Sequence, residues 1–181
     1  MNKKLRLLLT KECTNKCPKC CNNGRDFAHL PVVDRWDYEE IMLTGGEPML
    51  FPLSVVAICQ SIRNIHQLMA FDGKIYLYTA LAKKDSFFPV LDKVDGLVYT
   101  PHKKEDIKDF LEINHILLQD PNITKGKSMR LNLFADMKAL IPEGTDLSKW
   151  QVKDIEWIDN CPVPVGEDFR RIAHLMSTKD K

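Results

Sequence analysis

Short apolar runs rich in β-branched and aromatic residues alternate with stretches of helical spacing along most of the chain, and no other feature narrows the fold as much. The runs occupy residues 5–10, 40–44, 74–79, 96–100, 129–134 and, more weakly, 154–158. Several end at residues that stop a strand: Gly45-Gly46 after the second and Pro101 after the fourth. Between them, residues 53–68 place Val55, Val56, Cys59, Ile62 and Ile65 on one helical stripe, with Pro52 suited to the first turn. Residues 105–119 place Ile107, Phe110, Leu111, Ile113 and Leu117 likewise, and Pro121 closes the stretch. Residues 85–92 suit a short helix, whereas 22–38 are polar and irregular and predict none. Strands separated by helices imply βαβ units with right-handed crossovers and a mostly parallel sheet.

Length decides how far such a sheet can close. Eight βα units need about 250 residues, and this chain has 181. The expectation is therefore an α/β fold of the partial (βα)6 type, an open TIM-like barrel of parallel strands. Residues 1–158 would form the core, and 159–181 a C-terminal tail packing on it rather than a separate domain. With 26 Lys and Arg against 25 Asp and Glu, the net charge of +1 gives no general surface for nucleic acid or anionic membrane. No apolar run approaches the ~18 residues of a membrane span. The acidic residues Asp34, Asp37, Glu39 and Glu40 suit a solvated face, and His66 and His115 suit surface or boundary positions on helices.

Six cysteines are present, and four of them (Cys13, Cys17, Cys20 and Cys21) fall within nine residues. That density does not suit a disulfide framework in a chain this large. It suits metal ligands kept reduced in the cytosol, so a cytoplasmic location is expected. Cys13-Thr14-Asn15-Lys16-Cys17-Pro18-Lys19-Cys20 follows the first strand directly, so three thiolates can converge at its C-terminal edge. Thiolates suit zinc or iron–sulfur centres. Structural zinc wants four protein ligands, and Cys21, adjacent to Cys20, would strain to supply the fourth. A 4Fe–4S cube held by three cysteines leaves one iron open to a ligand. A non-enzymatic, zinc-stabilised interaction protein is the alternative. Cys59, on the apolar helical stripe, suits a core thiol. The second signal, Thr44-Gly45-Gly46-Glu47-Pro48, also follows a strand. Adjacent glycines let a backbone approach a ligand closely, and parallel sheets put ligand sites beyond their C-terminal strand ends.

In the spacing C-x3-C-x2-C at Cys13, Cys17 and Cys20, followed by Gly45-Gly46-Glu47-Pro48, the chain resembles the radical S-adenosylmethionine superfamily. The resemblance is firm over residues 5–52 and topological over 74–136. It implies that Cys13, Cys17 and Cys20 ligate a [4Fe-4S] cluster whose fourth iron takes the amine and carboxylate of S-adenosylmethionine. It implies further that backbone groups of Gly45 and Gly46, with Glu47 shaping the turn, hold the cofactor's amino group, and that Pro48 belongs to the same cofactor-binding motif. By their place at strand ends, Thr79, Thr100, Arg130 and Asn132 would complete the cofactor site; Arg130 and Asn132 share one sheet face by alternation. Three features depart from the pattern. Lys19 stands where an aromatic residue is common, the first crossover is too short for its usual helix, and Cys21 is extra, suiting a buried or turn thiol.

The implied activity is reductive cleavage of S-adenosylmethionine to a 5′-deoxyadenosyl radical that abstracts hydrogen from a substrate. The electron would come from a partner such as flavodoxin or ferredoxin. The short length resembles activases that install a glycyl radical on a partner enzyme, or small-molecule synthases of the deazapurine type. His102, just past the fourth strand, is the candidate for substrate contact. Residues 159–181, with Cys161, would run across the surface.

Overall fold

A computed structural model describes residues 3–17, 19–158 and 162–178. Seven strands form one sheet: β1 (Lys4–Thr10), β2 (Glu40–Gly45), β3 (Lys74–Thr79), β4 (Gly96–Tyr99), β5 (Ser128–Leu133), β6 (Gln151–Asp154) and β7 (Glu167–Arg171). Their order is β6-β5-β4-β3-β2-β1-β7, every pairing is parallel, and β6 and β7 are the two edges of an unclosed sheet. Helices α1 (Pro52–Leu68), α2 (Lys84–Lys93) and α3 (Lys104–Gln119) fill three of the connections, with a short α4 (Ala135–Lys138) after β5. The α/β class, the parallel sheet and the three longer helices agree with the apolar pattern.

Strand alternation explains why the helices share one face. Leu5, Leu7 and Leu9 of β1, Ile41 and Leu43 of β2, Ile75 and Leu77 of β3, and Leu97 and Tyr99 of β4 are all almost fully buried. They join Val55, Cys59 and Ile62 of α1, Phe87 and Leu91 of α2, and Phe110 and Leu117 of α3 in a single core. The opposite face carries Arg6, Met42, Tyr76, Tyr78, Val98 and Arg130, and among the described residues none of these joins the core that the helices bury. Cys59 is the core thiol its stripe predicts. His66 differs from expectation: it is buried, because its Nε2 reaches the Trp36 carbonyl at 2.9 Å and its ring meets Phe71 edge-on.

The other differences lie where the connections lack helices. The sixth strand sits at Gln151–Asp154 rather than at 154–158, because Arg130↔Gln151 and Leu133↔Asp154 set its register. The C-terminal stretch packs on the core by supplying a strand of it, β7, which pairs Glu167 to Arg171 with Lys4 to Leu8. Cys161 lies outside the described residues. Among the described residues the crossover over 11–39 has no helix, in line with the polar, irregular composition of 22–38, and β7 holds it in place. Val33 N donates to Arg171 O (2.9 Å), Arg171 N donates to Pro31 O (2.9 Å), and the buried Tyr38 hydroxyl donates to Asp168 at 2.5 Å.

Candidate functional site

At the C-terminal edge of β1 to β5 lies a pocket of about 620 Å³. The loop after β1 brings Cys13, Cys17 and Cys20 to it; Gly45, Gly46 and Glu47 arrive from the end of β2; Thr79, Thr100 and His102, and Asn132 arrive from β3, β4 and β5. Residues separated by up to 119 positions thus meet because parallel strands send these loops to one edge.

All three thiols are free. Cys13 is exposed, and the Asn15 amide donates to its Sγ at 3.3 Å. Cys17 and Cys20 are half-buried. Burial pushes the Cys13 thiol up, and pushes Cys17 up to about 11, with the neighbouring Cys20 and Cys13 adding to it. Both shifts favour the neutral thiol at Cys13 and Cys17. A donor set of this kind releases protons when it binds metal. A tetrahedral zinc with bonds of about 2.3 Å draws its sulfurs to roughly 3.8 Å of one another. Among the described residues no three His, Cys, Asp or Glu side chains are gathered in that way. Cys21 is disulfide-bonded, which corrects its reading as a free thiol and takes the fourth thiolate from a zinc set. Three free thiols, Cys13, Cys17 and Cys20, therefore face one pocket.

The glycine pair serves a contact that differs from the one expected. A Cβ on Gly45 would stand 2.2 Å from the Thr10 carbonyl oxygen, and one on Gly46 would stand 2.1 Å from the Glu12 carbonyl oxygen. The close approach is thus to the backbone after β1, where Gly46 N donates to Thr10 O and Glu47 N to Glu12 O, both at 2.7 Å. Gly45 also has φ +145°, outside the range L side chains favour. These bonds lock the start of the cysteine loop onto the glycine turn. Asn22, at the loop's other end, donates to Gly45 O at 2.7 Å.

Glu47 lies beneath the pocket, 2 % exposed. Its Oε1 accepts from Met49 N (2.9 Å) and Thr79 Oγ1 (2.5 Å), and its Oε2 accepts from Ala80 N (2.8 Å). Burial nevertheless raises its carboxyl to about 7, against the opposing pull of those three donors. Thr79 accordingly faces Glu47, on the helix side of β3. Pro48 is buried at the start of a single 3-10 turn and does not line the pocket.

Asn132 and Thr100 share the open face at the rim, Asn132 Nδ2 standing 3.4 Å from Thr100 Oγ1. Arg130 is on that face too, but two residues, or about 6.6 Å, further from the strand ends. It is exposed and does not line the pocket, which corrects its grouping with Asn132; no bulge is involved, since Val98↔Arg130 and Tyr99↔Leu131 stay in register. His102 stands against the thiols rather than at the mouth: its Nδ1 is 3.2 Å from Cys17 Sγ. Phe134 and Trp157 stack on each other at 4.0 Å and flank the imidazole at 5.6 and 5.4 Å. Sequence reasoning did not single out Asn22, Phe134, Trp157, Arg6 or Tyr78 as lining residues. Arg6 pairs with Glu167 at 2.8 Å and lies over the Tyr78 ring, so the pocket extends from the thiols onto the sheet face opposite the helices. The chain matches no protein-family model and no curated protein.

Proposed function

We propose that the chain is a radical S-adenosylmethionine enzyme built on a partial (βα) barrel. The observation that carries the reading is the meeting of three free thiols with the Gly45-Gly46 turn in one pocket at the C-terminal edge of a parallel sheet. Cys13, Cys17 and Cys20 would hold a [4Fe-4S] cluster, and the turn at Gly45 to Glu47, with Thr100 and Asn132 at the rim, would hold S-adenosylmethionine. Bound there, the two would supply one-electron reductive cleavage of the cofactor and, from it, hydrogen abstraction from a substrate. The protein's part is positional. The Thr10–Gly46 and Glu12–Glu47 bonds fix the cysteine loop against the cofactor turn, and Glu47 ties that turn to the end of β3. The stacked Phe134 and Trp157 flank His102, which stands against Cys17. Substrate would enter over the face opposite the helices toward Arg6 and Tyr78, as a glycyl loop of a partner enzyme or, alternatively, as a small molecule. A flavodoxin- or ferredoxin-like donor is the implied reductant.

Anaerobic reconstitution tests the reading. About four irons and four sulfides per chain are expected, with 5′-deoxyadenosine formed from S-adenosylmethionine under strong reductant. Cys13→Ala, Cys17→Ala or Cys20→Ala should abolish both, whereas Cys21→Ala should not. Stoichiometric zinc with negligible sulfide would overturn it.

A further inference from the structure

We propose that His102 is a positioning residue of the thiol triad, whose Nδ1–H donates a hydrogen bond to the sulfur of Cys17 and so sets the reduction potential of a cluster bound there. The inference rests on the reading of Cys17 as a cluster ligand and adds a residue to it.

The contact is direct, with Nδ1 3.2 Å from Sγ. With a free thiol, the proton's place between the two atoms depends on the imidazole tautomer. With a thiolate, only the imidazole can donate. Three features hold the ring in that orientation. His102 and Lys103 both donate their backbone N–H to Asp106 Oδ2, at 2.9 and 3.1 Å, which fixes the backbone at the first turn of α3. Asp106 is itself buried, 3 % exposed. Phe134 and Trp157, arriving from the ends of β5 and β6, hold the imidazole on their side. The ring thus has a fixed backbone, an aromatic wall and one sulfur partner. That is more constraint than an exposed loop histidine would have, and it is aimed at one ligand rather than at the pocket mouth.

A hydrogen bond to a ligating sulfur draws electron density from the cluster and favours its reduced, more negative state, so the potential rises. His102 is therefore expected to make the cluster easier to reduce than three cysteines alone would. No electron or proton is transferred to the imidazole; the bond acts on an equilibrium.

The test compares two variants that share one branched side-chain shape and differ in polarity. His102→Asn keeps an N–H near the place of Nδ1, and His102→Leu removes it. Each is reconstituted anaerobically beside the wild type, iron and sulfide are counted, and the midpoint potential is measured by EPR-monitored titration without S-adenosylmethionine. The inference expects full cluster content in all three, a midpoint shifted to more negative potential in His102→Leu, and one close to wild type in His102→Asn. An unshifted His102→Leu overturns it. Equal shifts in both variants, or loss of iron from both, also overturn it, since those results make His102 a packing residue or a ligand. Wild-type protein that takes up no iron and sulfide fails at the earlier step, sinking the functional reading and this inference together; a normal wild-type cluster with an unshifted Leu variant sinks this inference alone.

Discussion

Glu47 satisfies both of its protonation states because Thr79 has one hydroxyl proton and two acceptors for it. When the carboxylate is charged, Thr79 donates to Oε1; when Glu47 is protonated, it donates to Thr79 Oγ1, which turns its own proton to the Leu81 carbonyl 3.0 Å away. The folded carboxyl titrates near 7 and the unfolded one near 4.5. A raised folded value contributes stability that is complete below about 4.5 and lost as pH rises through 7, on the order of 3 kcal/mol. Glu47→Gln cannot accept from both Met49 N and Ala80 N while donating to Thr79, so one buried N–H is left without a partner. At pH 5 the variant should be less stable than wild type by about 1–3 kcal/mol, and urea denaturation at pH 8 should find the gap largely closed. A gap that is equal at both pH values would contradict the account. Gly46→Ala makes a separate prediction. Its Cβ meets the Glu12 backbone, with no side chain able to yield, so a loss of about 1–3 kcal/mol and faster alkylation of Cys13 are expected. At this scale the sequence makes the cysteine triad and the glycine pair visible, since each is a local spacing. It hides what the glycines touch and what Glu47 bridges, because Thr10, Thr79 and Ala80 are neighbours only across strands.

Among the elements, the connection from β5 to β6 shows how a helix can be replaced. Residues 139–150 form no helix, yet they close the core through Trp150, 7 % exposed, which packs on Tyr99 and Phe110. Trp150 Nε1 donates to Asn114 Oδ1 at 3.0 Å, and Asn114 Nδ2 donates to the Asp146 carbonyl at 2.9 Å. Asn114 sits on the apolar stripe of α3 and is 3 % exposed, so the bond to Trp150 is buried, while the one to Asp146 is part-buried. Asn114→Leu should leave the buried indole N–H unpaired and cost about 1–3 kcal/mol, read as a lower Tm with little change in far-UV dichroism. An unchanged Tm would mean that the connection is not held this way. Periodicity reveals α1, α2 and α3 because each buries a continuous stripe. β7 escapes it: Glu-Asp-Phe-Arg-Arg has no apolar alternation, because an edge strand is stabilised here by Arg6–Glu167, Tyr38–Asp168 and the Arg171 contacts rather than by burial.

For the whole molecule, the consequence of β7 is that the first and last strands pair beside the site. β1 carries the cysteine loop and would be an edge strand if the sheet stopped at β6; β7 makes it internal. The segment after β7 then crosses the top of β1. Ile172 N donates to Leu8 O (3.2 Å), Met176 N to Leu9 O (2.9 Å), Thr10 Oγ1 to Met176 O (2.8 Å), and both Ser177 Oγ and Thr178 N to Glu12 Oε1 (2.8 and 3.0 Å). Glu12 and Thr10 are the residues whose carbonyls accept from the glycine turn, so the C-terminal strap, the cysteine loop and the turn form one hydrogen-bonded junction. A chain ending at residue 158 keeps every helix and six strands, and loses this junction. At about 1 kcal/mol for each of the five strap bonds, together with the β7 ladder, the loss approaches the 5–15 kcal/mol that stabilises a domain. The truncated chain should therefore be largely unfolded, or aggregate through the exposed edge of β1. Size-exclusion chromatography and thermal melting measure this directly. A monomer with the wild-type Tm would mean that the core folds without its last strand, and that the junction beside Cys13 is dispensable for stability.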